Sequence, residues 1–278
     1  MSTSVLFDAP GPRARRRHRL LGVVTLVLAL AVLALAVLRL QDRGQLTGAK
    51  WEVFVTPAYV QVLLEGLLDT LKAAVGAILL ALVFGLVFGV GKLSANRLVR
   101  WVSWTVVEFF RAVPLLMLIV FVWTVWSETI GSLWSLIIGL ALYNGAVLAE
   151  VFRAGIQAVP KGQSEAAMAI GLRPGQTMRI VLLPQGIKIM LPSIVSQFIV
   201  ALKDTSLGYV ILAPGLTYAG KLIWGEFDNR LATGLVLAAI YIVANGLLSL
   251  VVTWLQRRLG GKPLEIVPAQ MQSQAEAR

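Results

Sequence analysis

Leu20 to Leu38 reads LLGVVTLVLALAVLALAVL, nineteen residues without a single charge. A bilayer core offers no hydrogen-bond partner to the backbone, so such a run crosses it as a helix that satisfies its own N–H and C=O groups. Its length matches the roughly 20 apolar residues a spanning helix needs. It is longer than the ~7–15 apolar residues of a cleavable signal, and the RLQDRG that follows has no small-residue cleavage site. It is therefore expected to stay as a first span. Further apolar runs lie at about Leu67 to Val90, Trp101 to Trp126, Leu133 to Val159, Ile187 to Leu202 and Leu231 to Leu255. Together they predict an all-α, polytopic membrane helical bundle of about six transmembrane helices.

Composition agrees. Of 278 residues 58% are hydrophobic and 14% charged, against about 25% charged in soluble domains, and the mean hydropathy is +0.80. The net charge of +11 does not indicate nucleic acid, because the basic residues gather at the ends of apolar runs rather than on a face among aromatics. The absence of cysteine excludes disulfides and thiolate metal sites, and the one histidine, His18, lies in an arginine-rich run.

With the N-terminus in the cytoplasm, fourteen basic residues fall on the inner side, from Arg13 through Lys92, Arg97, Arg100, Lys161, Arg173 and Arg179 to Lys262. Five (Arg39, Arg43, Lys50, Lys221 and Arg230) fall outside. The positive-inside rule thus predicts both termini cytoplasmic. Residues 1–19 read as a disordered basic tail, and QDRGQLTGAKWEVFVTPAYVQ as an outer polar loop with Trp51 and Tyr59 as interfacial anchors. The stretch through Trp224 to Arg230 reads as a second outer loop. Gly85 and Gly89 form a GxxxG suited to close helix approach. Pro114 is expected to kink the third span. The Gly91-Lys92 pair fails the phosphate-loop pattern, with Leu86 where the first glycine belongs and Leu93 where Ser or Thr belongs. The chain carries no recognisable nucleotide site of its own.

Between the fourth and fifth spans lies KGQSEAAMAIGLRPGQTMRIVLLPQ, Lys161 to Gln185, on the cytoplasmic side of this topology. Ser164 suits a helix N-cap, EAAMAI favours helix, Gly171 suits a left-handed C-cap and Pro174 the start of the next element. A helix of about two turns is marginal alone. Its alanines make a slim rod suited to another protein's groove, and it bridges two spans, so force on it reaches both.

EAAMAIGLRPGQTMRIVLLP resembles the EAA loop of ATP-binding-cassette importer permeases: Glu165, Ala166, Ala167, Gly171, Leu183 and Pro184 match in register, and Val181 stands where isoleucine is usual. The flanking AEVFRAGIQAVPKGQSEAA and LKDTSLGYVI look like the branch that imports polar amino acids. The resemblance implies a five-helix permease core over 59–258, with the EAA loop at 161–185. An additional N-terminal helix with its outer loop (20–58) precedes it, and a cytoplasmic tail (259–278) follows. It implies that the short helix couples to a cytoplasmic ATPase dimer that uses the ATP, this chain binding no cofactor. It further implies a second permease subunit, an extracytoplasmic amino-acid-binding protein and the bacterial cytoplasmic membrane, with glutamate or glutamine as substrate.

Charges inside spans cost roughly 2.5–3.5 kcal/mol each on insertion scales and are functional candidates. Glu108 and Arg111 stand three apart on one helix face and are expected to pair. Glu150 and Arg153 repeat the spacing near the cytoplasmic end, where pairing or a coupling contact is expected rather than substrate contact. Asn144 and Gln197 near mid-membrane, with Lys203 and Asp204 at the outer end of the fifth span, are candidates for a substrate path, or else bridge helices. An ion-coupled secondary carrier is the alternative, but it calls for internal repeats the chain lacks. A lipid-modifying enzyme needs an acid, base or metal constellation that the scattered carboxylates do not make.

Overall fold

The computed structural model describes residues 11–259; the first ten residues and 260–278, with Lys262, lie outside them. Among the described residues every regular element is helical. Helix α1 (Pro12–Asp42) starts on a proline whose fixed φ suits a first turn. The basic run from Pro12 onward is therefore helical and continuous with the first apolar stretch, not an unstructured tail. No residue of that span is buried, so α1 stands clear of the bundle. The outer loop contains α2 (Ala49–Glu52) and a 3-10 turn (Val53–Val55). Helix α3 (Pro57–Gly91) then begins ten residues before the hydrophobic run, again on a proline.

The predicted third span is broken. Helix α4 (Arg97–Ala112), capped by the Asn96 side chain accepting from Leu98 and Val99 N–H, ends at Val113, and Pro114 starts α5 (Leu115–Gln157). As a straight rod, a helix of 43 residues would run roughly 65 Å, twice a bilayer core. It does not run straight: Gly131 has φ 74 and ψ 171, and the chain doubles back there. Ile119 before the turn packs with Leu136 and Leu140 after it, and a Cβ on Gly139 would lie 2.9 Å from the Ile119 Cα. Residues 115–130 thus form the third span, with α4 a separate helix ahead of it, and 132–157 form the fourth. Among the described residues five helical stretches are long and apolar enough to cross a membrane; this turn divides one of them and supplies the sixth crossing. Because that φ/ψ region is essentially restricted to glycine at a cost of about 1–3 kcal/mol, Gly131→Ala is expected to lower the thermal midpoint by several degrees in detergent.

The GxxxG of α3 lies in the main interface. A Cβ on Gly85 would meet Leu148 Cβ at 2.7 Å, and one on Gly89 the Ala149 carbonyl at 2.7 Å. Below this contact Phe84, Phe88 and Phe110 pack around Val107, Ala146 and Ala149, joining α3, α4 and α5. The fifth span is longer than its apolar run. It comprises α7 (Pro174–Gln176), a π-helical turn (Thr177–Leu182), α8 (Leu183–Asp204) and a 3-10 turn (Thr205–Ile211).

Trp224 to Arg230 does not form the expected polar loop. Helix α9 (Leu216–Phe227) buries Leu216, Ala219, Gly220 and Ile223 on one face, and α10 (Arg230–Leu259) follows. Leu216 N–H donates to Thr70 Oγ1 at 2.8 Å, and Ala219 packs on Gly66 of α3. Tyr59 OH donates to Glu226 at 3.1 Å, Lys50 Nζ to the Asp228 carbonyl at 2.7 Å and Asn229 to the Lys50 carbonyl at 3.1 Å. These bonds fasten the loop ahead of α3 to the turn ahead of α10.

Candidate functional site

Helix α6 spans Lys161–Ala169. It starts one turn earlier than Ser164: Pro160 precedes it, and the Ser164 hydroxyl donates to the Lys161 carbonyl at 2.8 Å from within the helix. Its other end matches expectation. Gly171 has φ +85, its N–H reaches the Met168 carbonyl at 2.9 Å and Leu172 N–H reaches the Ala167 carbonyl at 3.1 Å. This pair of bonds is the Schellman closure that satisfies two orphan carbonyls. One face of α6 is held: Ala167 is buried, and Gln185 of α8 donates to Gln163 at 3.1 Å. The other face is open, with Glu165, Ala166 and Ala169 exposed, Met168 at 53% and Ile170 at 79%. A nine-residue helix presenting that much apolar surface away from its own bundle is shaped to be covered by something else.

The rest of the EAA segment roots α6 in the bundle. Arg173 N–H donates to Gln176 Oε1 at 2.9 Å and Pro174 opens α7. Leu183 packs against the cluster of Phe152, Ile156 and Met190, while Pro184 stays exposed. Just beyond, Gly186 of α8 faces Ile156 of α5, and a Cβ there would lie 3.1 Å from the Ile156 Cα. The two helices that flank α6 are thus in near-backbone contact beside it.

A chain of charges lies at the same end of the bundle. Arg111 pairs with Glu108 at 3.3 Å and Arg153 with Glu150 at 2.8 Å, as the i,i+3 spacing predicts. Lys92, one residue past α3, joins the pairs: its Nζ donates to Glu108 at 3.2 Å and also to Glu150. The Lys92 side chain is 2% exposed and lies 5.5 Å from the centre of the Trp104 ring. Arg153 continues the chain to Gln157 at 2.7 Å, in the last turn of α5. A cavity of about 450 Å³ opens among these residues. Sequence reasoning missed Lys92 because its partners lie 16 and 58 positions away.

The four candidates for a substrate path sit elsewhere. Asn144 is 1% exposed, accepts from Gln197 at 2.7 Å and donates to the Leu140 carbonyl at 3.0 Å. Both its amide atoms are engaged, one of them across α5 and α8. Lys203 is exposed and Asp204 half-buried at the far end of α8. None of the four lines the cavities beside Glu108 and Glu150.

Residues 77–261 match the family model for the binding-protein-dependent transport system inner membrane component. The chain is 38% identical over 227 residues to the glutamate transport system permease protein GluD of Corynebacterium glutamicum, covering 79% of this chain and 83% of that protein. It is 32% identical over 208 residues to the glutamate/aspartate import permease protein GltK of Escherichia coli O6:H1, covering 70% and 92%. A crystal structure of an amino acid ABC transporter with histidines superposes with a TM-score of 0.67 at 31% identity, covering 72% of this chain and 95% of that one.

Proposed function

Because this chain belongs to the family of binding-protein-dependent transport system inner membrane components, we propose that it is the permease of an ATP-driven importer of polar amino acids, with glutamate or glutamine as substrate. Membership makes it a multi-pass transport subunit rather than a secondary carrier. The glutamate named for two relatives supports the substrate. In this reading the α6 end faces the cytoplasm, a placement supported by the basic residues along that side, with both termini on the same face. A cytoplasmic ATPase dimer takes α6 into its groove and supplies the ATP chemistry, a second permease subunit completes the path, and an extracytoplasmic protein delivers the amino acid.

The observation that carries this reading is the open apolar face of α6, Ala166 to Ile170, set on a helix rooted in both α5 and α8. Closure of the ATPase dimer moves α6, and the near-backbone contact of Gly186 with Ile156 passes that motion to two spans at once. Reconstitution tests it: vesicles holding the chain, its ATPase and the binding protein are expected to accumulate labelled glutamate only with ATP on the α6 side. Accumulation driven by a proton gradient, without the ATPase, contradicts it.

Gly171 supplies a sharper check. A non-glycine residue in the left-handed region costs about 1–2 kcal/mol, least for Asn. Gly171→Val is therefore expected to cut uptake and substrate-stimulated ATP hydrolysis together, with normal membrane insertion. Gly171→Asn is expected to retain most of both.

A further inference from the structure

Five side chains alternate in sign across three helices: Arg111, Glu108, Lys92, Glu150, Arg153. Each carboxylate has an arginine on its own helix, Glu108 on α4 and Glu150 on α5, and both share the one buried ammonium between them. This asymmetry has a mechanical consequence. If the foot of α5 shifts relative to α4, Lys92 can follow either carboxylate, and the one it leaves is still neutralised by its own arginine. The tie opens and closes without leaving either carboxylate unpaired beside the buried ammonium, and an unpaired charge is what makes breaking a buried pair costly. Gln157, at the end of the same network, lies four residues before α6 begins.

We propose that Lys92 is a positioning residue for transport, an electrostatic latch that holds α4 to the foot of α5 and makes motion of the coupling helix conditional on the state of the bundle. This rests on the permease reading given above. Arg111 and Glu108 also line a second cavity, with Tyr143, beside the break between α4 and α5, so the latch sits between that break and α6. A purely structural lysine predicts a different outcome: its loss lowers the amount of assembled transporter, and hydrolysis and uptake fall in proportion.

The test compares wild type, Lys92→Met and Glu108→Gln in the full assembly with ATPase and binding protein, in vesicles, reading ATP hydrolysis with and without loaded binding protein, and glutamate uptake. Glu108→Gln keeps volume and an acceptor, and serves if Lys92→Met does not assemble. A latch predicts that basal hydrolysis rises toward the stimulated rate while uptake falls roughly tenfold, the scale of a typical coupling energy, so that ATP is spent without transport. Wild-type stimulation ratios in the assembled variants, or proportional loss of hydrolysis and uptake, overturn the latch and leave the permease reading standing. Uptake by wild type without any ATPase overturns both.

Discussion

Ile170→Glu, alone or with Met168→Glu, is expected to release the ATPase while leaving the permease folded in the membrane. Ile170 is 79% exposed and Met168 53%, so neither stabilises this chain's own core. Covering a side chain of this type contributes about 1.5–3 kcal/mol, and a carboxylate placed in the covered patch adds an unpaired charge. A loss of about 3 kcal/mol weakens binding roughly a hundredfold. The measurement is co-purification of the ATPase from membranes, with the thermal midpoint of the permease as control. Full retention of the ATPase by the double variant contradicts docking through this face. Loss of the permease itself contradicts the claim that these side chains are free.

The second large effect is expected at the α3–α5 contact. Gly89 faces the Ala149 carbonyl and the Phe152 Cβ, at 2.7 and 2.9 Å from where a Cβ would stand, and Gly85 faces Leu148. Backbone cannot yield as a side-chain tip can, so Gly89→Leu must push the helices apart. Overpacking of this kind costs about 1–3 kcal/mol, occasionally more. Here it also moves Lys92, three residues on, away from Glu150. Gly89→Leu is therefore expected to aggregate on extraction or to lose about 6–12 degrees of thermal midpoint, the upper end of that cost in a domain of this size. Gly225→Ala, in α9 with nothing within 4 Å of an added Cβ, is the control and is expected to be neutral or slightly stabilising. A stable, active Gly89→Leu contradicts the packing described.

The sequence revealed what depends on local chemistry. Long apolar runs located the spans, Pro114 marked the break between α4 and α5, and the Gly85/Gly89 spacing marked a close approach of α3 to α5. Gly171 was legible as a left-handed cap because few other residues suit it. What depends on distant partners stayed hidden. Lys92 reads as one more basic residue in a turn until α4 and α5 bring Glu108 and Glu150 to it. Helix α9 reads as a loop in the sequence because Lys221 and Glu226 dilute its hydropathy and Asp228 follows directly, although Leu216, Ala219, Gly220 and Ile223 already share one face. The early start of α6 follows from Pro160, whose fixed φ lets Lys161 begin the helix before Ser164 can cap it.

The chain has no cysteine, which makes the most direct test of the central claim a clean one. A single cysteine is placed at Ile170→Cys, and in a control chain at Leu212→Cys, 51% exposed near Ser132 at the other end of the bundle. A short thiol-reactive cross-linker is then applied to membranes that also contain the ATPase. An adduct with the ATPase is expected from position 170, changing in yield with nucleotide, and none from position 212. No adduct from position 170 in membranes that still take up glutamate would contradict it.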